Sequence, residues 1–425
     1  MRSRIVVALL SCSVAWSAAA APPGSSATAP PSLTAAQWRA DLRFLAQTLP
    51  ERHPKPFART TRERWLSTIA ELDARIPSLA PHQIAVGFAR IVAMLGDAHT
   101  VAYAANVPPG FHSLPIRLFW FADGLHVAAV TRGHESLLGL RLAAIESTSV
   151  DRAVAAVVPT FVDENEALHK TGAAQALTTI EILHAVGVIR DVSRATFTFQ
   201  GPSGAVRETL TPLENGISPT WIRWPDATGA TAPLARSRPQ SWFWRQRDTA
   251  NDLVFIQYNR CQDSPERRLA DFIAETLSEI DARPPRAVVV DLRYNGGGSS
   301  SLLQPLIRGL AQRKALNAPD RLFVLIGRLT FSSALMNAVQ FRRSTQATLM
   351  GEPTGGKPNH FGEIRSFELP NSRMSIQHST RYFREQEKDE DALYPDVRVE
   401  VRAADYAAGR DPVMDEVVKR VGAGR

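Results

Sequence analysis

Four short segments of this 425-residue sequence hold residue types that can do acyl-transfer chemistry. Ser332 stands in Thr330-Phe331-Ser332-Ser333-Ala334-Leu335, after an apolar run and at the start of a helical pattern. A serine at such a corner projects its hydroxyl out of a sheet. The next residue's N–H points into the same space, as in a nucleophile elbow, although Gly-x-Ser-x-Gly is absent. Ser and Thr are also the preferred helix caps, so alone this segment says little. Asp291-Leu292-Arg293-Tyr294-Asn295-Gly296-Gly297-Gly298 also follows an apolar run. Its glycines let backbone N–H groups approach a ligand and hold negative charge. The Gly-Lys-[Ser/Thr] of a phosphate loop and the Gly-x-Gly-x-x-Gly of a dinucleotide site are both missing, so an oxyanion hole fits better, against a plain tight turn.

Two bases compete. Lys357 ends Gly351-Glu352-Pro353-Thr354-Gly355-Gly356-Lys357, and an amine needs burial to act as a base near neutral pH. His99, in Gly96-Asp97-Ala98-His99-Thr100, needs no large shift. An exposed turn lysine and a histidine at a helix C-terminus are the structural alternatives.

The elements that must position these residues come in two styles. From Asn251 onward, strand patterns (253–258, 286–292, 321–326) alternate with helical ones (267–281, 300–313, 332–343). That order implies a parallel α/β layer structure, with ligands beyond the carboxyl ends of its strands. Before that, helical patterns at 34–50, 62–76 and 82–95 suggest a small helical domain. Strand patterns at 114–121, 125–131, 140–145, 195–200 and 206–210 suggest a β-rich region, interrupted by helical stretches at 150–158 and 169–190. Residues 212–245 read as a connection. Its Trp221 and Trp224, with Trp242 and Trp244, either line a peptide groove or cover a domain seam, and the seam is favoured.

Taken together and in order, Gly96–Thr100, Asp291–Gly298, Thr330–Ser333, Gly351–Lys357 and Tyr394-Pro395-Asp396-Val397 resemble the tail-specific, or C-terminal processing, serine peptidases (S41-type), with tricorn-like features. The resemblance is firm over about residues 250–415 and looser over 34–245. It implies a crotonase-like ββα spiral catalytic domain behind an N-terminal helical domain and a PDZ-like β-rich middle region. By the same resemblance Ser332 is the nucleophile. Gly296 or Gly297 and the Ser333 N–H form the oxyanion hole, and either His99 or Lys357 is the base. The carboxylates that support lysine in that branch are absent, since Leu335, Asn337 and Arg343 occupy those regions, so His99 is favoured. An acidic third member would fall among Glu385, Glu387, Asp389 and Glu390.

The expected organisation is a signal peptide at 1–21, a lead-in at 22–32, a helical domain at 33–105, a PDZ-like region at 110–212, a connection at 213–250 and a catalytic domain at 251–425. Arg2 and Arg4, a short apolar run, and Ala18–Ala21 before Pro22 carry the signal reading, hence export to the periplasm or beyond. Anchoring as a lipoprotein at Cys12 is less favoured. Cleavage removes two arginines and lowers the formal charge from +7 to +5. Cys261 then stands alone and reads as a core thiol. The positive charge is scattered and accompanies no nucleic-acid motif, so no nucleic-acid partner is expected. No later stretch is long and apolar enough for an integral membrane segment. The expected substrate is a peptide or protein; no metal or organic cofactor is implied. The competing functions are an inactive peptide- or ligand-binding protein on this scaffold and, third, an acyl-CoA enzyme of crotonase type.

Overall fold

The computed structural model describes residues 33–215 and 219–423. The expected signal segment, the lead-in and Cys12 lie outside the described residues. The chain begins with α1 (Ala35–Arg52), α2 (Arg62–Arg75) and α3 (Pro81–Ala93). Thr34 and Gln37 cap α1 reciprocally through side chain and backbone. Trp38, Leu42, Leu45 and Leu49 recur at helical spacing and are all buried. They pack with Trp65, Phe88 and Ile91, and also with Phe367, Leu369, Met374 and Ile376 from far along the chain. The helices therefore complete their core with a distant hairpin.

A short strand, β1 (Val101–Ala102), leads to the middle region. There β2 (Ile116–Phe121), β3 (Gly124–Thr131), β4 (Arg141–Ile145), β5 (Thr148–Ser149), β6 (Ala195–Gly201), β7 (Gly204–Leu210) and β8 (Trp221–Arg223) form one sheet. Its main order is β2-β3-β4-β6-β7, with β5 on β4 and β8 on β3. Helices α4 (Val150–Val157), α5 (Glu166–Ala176) and α6 (Ile180–Ala185) intervene, and α7 (Trp224–Ala227) follows β8. The helical pattern expected over 169–190 is thus two helices. The break falls at Thr178 and Thr179, whose hydroxyls turn back onto the Gln175 carbonyl.

A second sheet has the order β16-β13-β12-β11-β10-β9. Its strands are β9 (Phe243–Asp248), β10 (Leu253–Tyr258), β11 (Ala287–Asp291), β12 (Leu322–Ile326), β13 (Thr348–Gly351) and, after a hairpin, β16 (Val397–Arg398). All pairs are parallel except β9 with β10. Strands β10, β11 and β12 are buried at every residue, which accounts for their largely apolar runs. Helices α8 (Leu269–Ala282), α9 (Gln304–Gln312) and α10 (Ser333–Ser344) cross between strands. Helices α11 (Ala403–Ala407) and α12 (Pro412–Ala423) close the chain, and Val413, Val417 and Val421 of α12 pack on the sheet. The hairpin is β14 (His360–Glu368) and β15 (Ser375–Phe383), with β1 paired antiparallel to β15. That pairing carries the end of the helical region to the carboxyl ends of the parallel strands. Among the described residues no helix is long and apolar enough to cross a membrane.

Candidate active site

Ser332 sits where β12 has ended and α10 is about to begin. Thr330 fixes the turn: its hydroxyl donates to the Leu292 carbonyl at 2.9 Å and accepts from the Gly327 N–H at 3.0 Å. Phe331 N–H donates to the Asn295 carbonyl, which ties this corner to the glycine loop. Ser332 adopts φ 51° and ψ −125° and makes no side-chain capping bond. A non-glycine residue at positive φ costs on the order of 1–3 kcal/mol and persists only where its surroundings impose it. An ordinary cap would use its hydroxyl on the helix N–H groups. Here Ser332 is partly exposed and makes no such bond, and the neighbouring Ser333 hydroxyl instead donates to Gly298 O at 2.6 Å.

The glycine loop is held from behind by Asn295, a fully buried residue. Its Nδ2 donates to Tyr258 O, and its Oδ1 accepts from the Gly297 N–H, each at 2.9 Å. The Cys261 thiol also reaches that Oδ1 at 3.4 Å. Burial pushes this thiol up to about 12, so Cys261 stays an inert core group. Gly297 has φ +113°, and a Cβ there would lie 2.8 Å from Ser332 Cβ. Gly298 has φ +133°, and a Cβ there would lie 2.4 Å from Cys261 O. The glycines are therefore required for the loop to pass against the serine. Of the expected N–H donors, that of Gly297 is turned to Asn295. Gly296 is partly exposed one residue earlier. Ser333, in the first helical turn, has no intrahelical acceptor. The Gly298 N–H forms no hydrogen bond among the described residues.

His99 lies in the loop between α3 and β1, at the end of the helical region. Its ring stacks on Phe331, the residue before Ser332, with centroids 4.5 Å apart, and on His360 at 5.4 Å. Both ring nitrogens are buried without a hydrogen-bond partner. Burial lowers its pKa from 6.5 to about 4; Asp97 and the nearby Phe361 backbone oppose that shift, and His360 adds to it. The imidazole is thus neutral at pH 7 and free to accept a proton.

Asp97 lies two residues earlier and is almost wholly buried. It accepts from Thr100 Oγ1 at 2.5 Å, Ser379 Oγ at 2.6 Å, the His99 N–H at 2.9 Å and His53 Nε2 at 3.0 Å. Burial pulls its pKa upward, but the bonds to His53, Ser379 and Thr100 and the nearby His99 outweigh it and hold the carboxyl below its ordinary value.

Lys357 is also buried in this region, with its Nζ 3.7 Å from Asp389 Oδ1. The acidic run is pinned by Asn359, whose Oδ1 accepts from the N–H groups of Glu385 and Gln386. Glu390 binds Lys388 and Gln386, and Glu387 is exposed. The structure thus gathers Ser332, Ser333, the glycine loop and His99, with Lys357 on its own carboxylate partner. Sequence reasoning passed over Asn295, whose only sign was its place beside three glycines. It also passed over Glu164. Protein crowding around Glu164, which keeps a partial opening to solvent, raises its pKa to about 8. Asp97 and Asp389 push the same way, while Lys357 and Arg59 oppose. Asn165 beside it donates to the carbonyls of Thr354 and Asp391, joining the middle region to the lysine loop.

The family model described as Peptidase family S41 matches residues 253–399, the stretch from β10 to just past β16. Among solved structures, mature CPAF complexed with lactacystin is 13% identical at a TM-score of 0.64, covering 92% of this chain and 100% of that one. Mature CPAF alone is 14% identical at 0.64, covering 92% and 99%. These likenesses show a shared fold across nearly the whole chain. No curated protein sequence matches.

Proposed function

We infer that this chain, whose residues 253–399 match the model of peptidase family S41, is a serine-type peptidase in which peptide hydrolysis runs through an acyl-enzyme on Ser332 with His99 as base. The observation that carries this reading is the strained, uncapped Ser332 beside a neutral, unpartnered imidazole. Ser332 Oγ forms a bond to the scissile carbonyl carbon while its proton passes to His99. The carbonyl electrons move onto oxygen, where the Ser333 N–H and the free backbone of the glycine loop face them. His99 then returns the proton to the leaving amine, and water attacks the ester by the same route in reverse. Lys357 is engaged by Asp389, which supports a place in loop structure or substrate binding rather than at Ser332.

We further propose that the middle region binds an extended peptide by strand addition and that residues 1–21 direct export. A fluorophosphonate probe tests the chemistry. Wild type should be labelled between about pH 6 and 9, Ser332→Ala should not, His99→Ala should lose most labelling, and Lys357→Ala should keep it. Labelling that survives His99→Ala but not Lys357→Ala would transfer the base to Lys357. A wild type that never labels would sink the reading and favour a binding protein on this scaffold.

A further inference from the structure

We propose that Asp97 is the positioning carboxylate of this site: it orients His99 and stabilises the imidazolium that forms when Ser332 attacks, the part that the family resemblance assigns to one of Glu385, Glu387, Asp389 and Glu390. The inference rests on the reading of Ser332 and His99 given above.

The argument starts from how the carboxylate is occupied. Oδ2 takes three donors, from Thr100, Ser379 and His53. The His53 proton is fixed, because the Lys55 N–H donates to its Nδ1 at 3.1 Å and leaves Nε2–H to face Asp97. Oδ1 takes one donor, the His99 backbone N–H, and lies 4.0 Å from His99 Nδ1. A carboxylate oxygen has room for two acceptor bonds. Oδ2, with three donors, is more than filled, and Oδ1, with one, keeps a lone pair. A small tilt of the imidazole closes the gap, as such contacts often do only when substrate is bound. With Nδ1 toward Asp97, Nε2 is left for Ser332. The His99 backbone cannot drift away, since Gln377 Nε2 donates to its carbonyl at 2.9 Å.

Two of the rival carboxylates are otherwise engaged. Asp389 faces Lys357, Glu390 faces Lys388, and Glu387 is exposed among Arg342, Arg343 and Arg384. Glu385 is held through its backbone, and its charge acts on His360. Glu164, raised to about 8, is largely protonated at pH 7. The charged or titratable groups facing Asp97 are His53 from the end of α1, His99 on its own loop, His360 from β14 and Glu164 from the approach to α5. Asp97 is the one anion among them at neutral pH.

The test compares Asp97→Asn with Glu385→Gln, Glu387→Gln, Asp389→Asn and Glu390→Gln in the full chain, on a peptide that wild type cleaves. Asp97→Asn should lower kcat by about 10²–10⁴-fold with KM changed less than about threefold. The acid limb of kcat/KM should move to lower pH, because the charge that favours protonated His99 is gone. A merely structural role would not move that limb. The four other variants should stay within about threefold. If Asp97→Asn does not fold, wild type phosphonylated on Ser332 gives a second reading by NMR. At acid pH its His99 Nδ1–H should resonate far downfield, and Glu385→Gln should leave the signal in place. An unshifted limb with kcat retained, a larger loss in any variant of 385–390, or a downfield proton lost with Glu385→Gln would overturn the proposal. Should wild type neither cleave nor label, the peptidase reading falls and takes this one with it; a working wild type with an indifferent Asp97 removes only this one.

Discussion

Around Arg293 the protein buries a guanidinium between two carboxylates; around Asp97 it buries a carboxylate between two imidazoles. Arg293 meets Asp291 through Nε at 3.1 Å and Nη2 at 2.7 Å, and meets Asp411 through Nη1 and Nη2 at 2.7 Å each. Those guanidinium nitrogens are answered, and the cluster does one thing: it pins the start of α12 to the end of β11. The Asp97 cluster is filled on one side only. Its far side is saturated by His53, Thr100 and Ser379, while His99 keeps two empty nitrogens. Buried polar groups without partners are rare and destabilising. A fold that tolerates them beside a strained serine is holding atoms ready for a ligand.

The largest expected effect separates reactivity from stability at the open cluster. Ser332→Ala should reduce kcat about 10⁴-fold or more while leaving the urea midpoint nearly unchanged, since alanine inherits the same backbone strain. Ser332→Gly should be equally inactive yet more stable, by about 1 kcal/mol, because glycine accepts φ 51° without that strain. A glycine variant less stable than wild type would show that the Ser332 conformation is not strained.

The closed cluster should respond in the opposite sense. Asp411→Ala leaves half of the Arg293 guanidinium buried and unmatched, which should destabilise the fold by about 3–5 kcal/mol in urea unfolding. The protein that remains folded should keep kcat/KM within a few-fold. A large activity loss in still-folded protein would join the two clusters into one functional unit.

Much of the closed, structural half was legible in the sequence. Leu253–Tyr258 forms the expected strand residue for residue, and Ala287–Asp291 falls inside the expected 286–292, because strands buried on both faces leave largely apolar runs. The hairpin β14–β15 was missed for the complementary reason. It buries His360, Gln377, His378 and Ser379, residue types that read as surface until a partner is known. That partner is β1 and the loop of Asp97, more than 250 residues away in sequence. Strand β9 hid within the connection because Arg245 and Arg247 mark a sheet edge, each paired with a carboxylate. The serine, histidine and glycines of the site were visible as motifs. The role of Asp97 was not, because its geometry depends on donors from α1 and β15.

Acid titration should distinguish His99, which is buried, from His82, which is half-buried. Burial holds both His99 and His82 near about 4 instead of 6.5, with His184 adding to the shift at His82. Between those values the native state binds fewer protons than the unfolded chain. The stability these groups contribute is therefore full above pH 6.5 and lost as pH falls toward 4. The thermal midpoint should drop over that window, and His82→Gln should soften the drop. Only His99 should appear in kinetics, as an acid limb of kcat/KM near pH 4 that His82→Gln leaves in place. A limb near 6.5 would mean that His99 is more open to solvent than its burial implies.

The smallest effect concerns Lys357 and its neighbour. Asp389 is 66% exposed at its side chain and faces Lys357 at 3.7 Å, a partly solvated pair. Such pairs contribute roughly 0–1 kcal/mol, so Asp389→Asn should shift the urea midpoint barely, and less still in high salt. The rate is the sharper readout. A lysine acting as the base would feel the loss of the carboxylate beside it as a many-fold change in kcat at neutral pH. A lysine that only holds its loop would not. We expect kcat within about twofold of wild type, the size of change that a surface charge contributes. A many-fold change, in either direction, would return Lys357 to the chemistry and leave His99 as its neighbour.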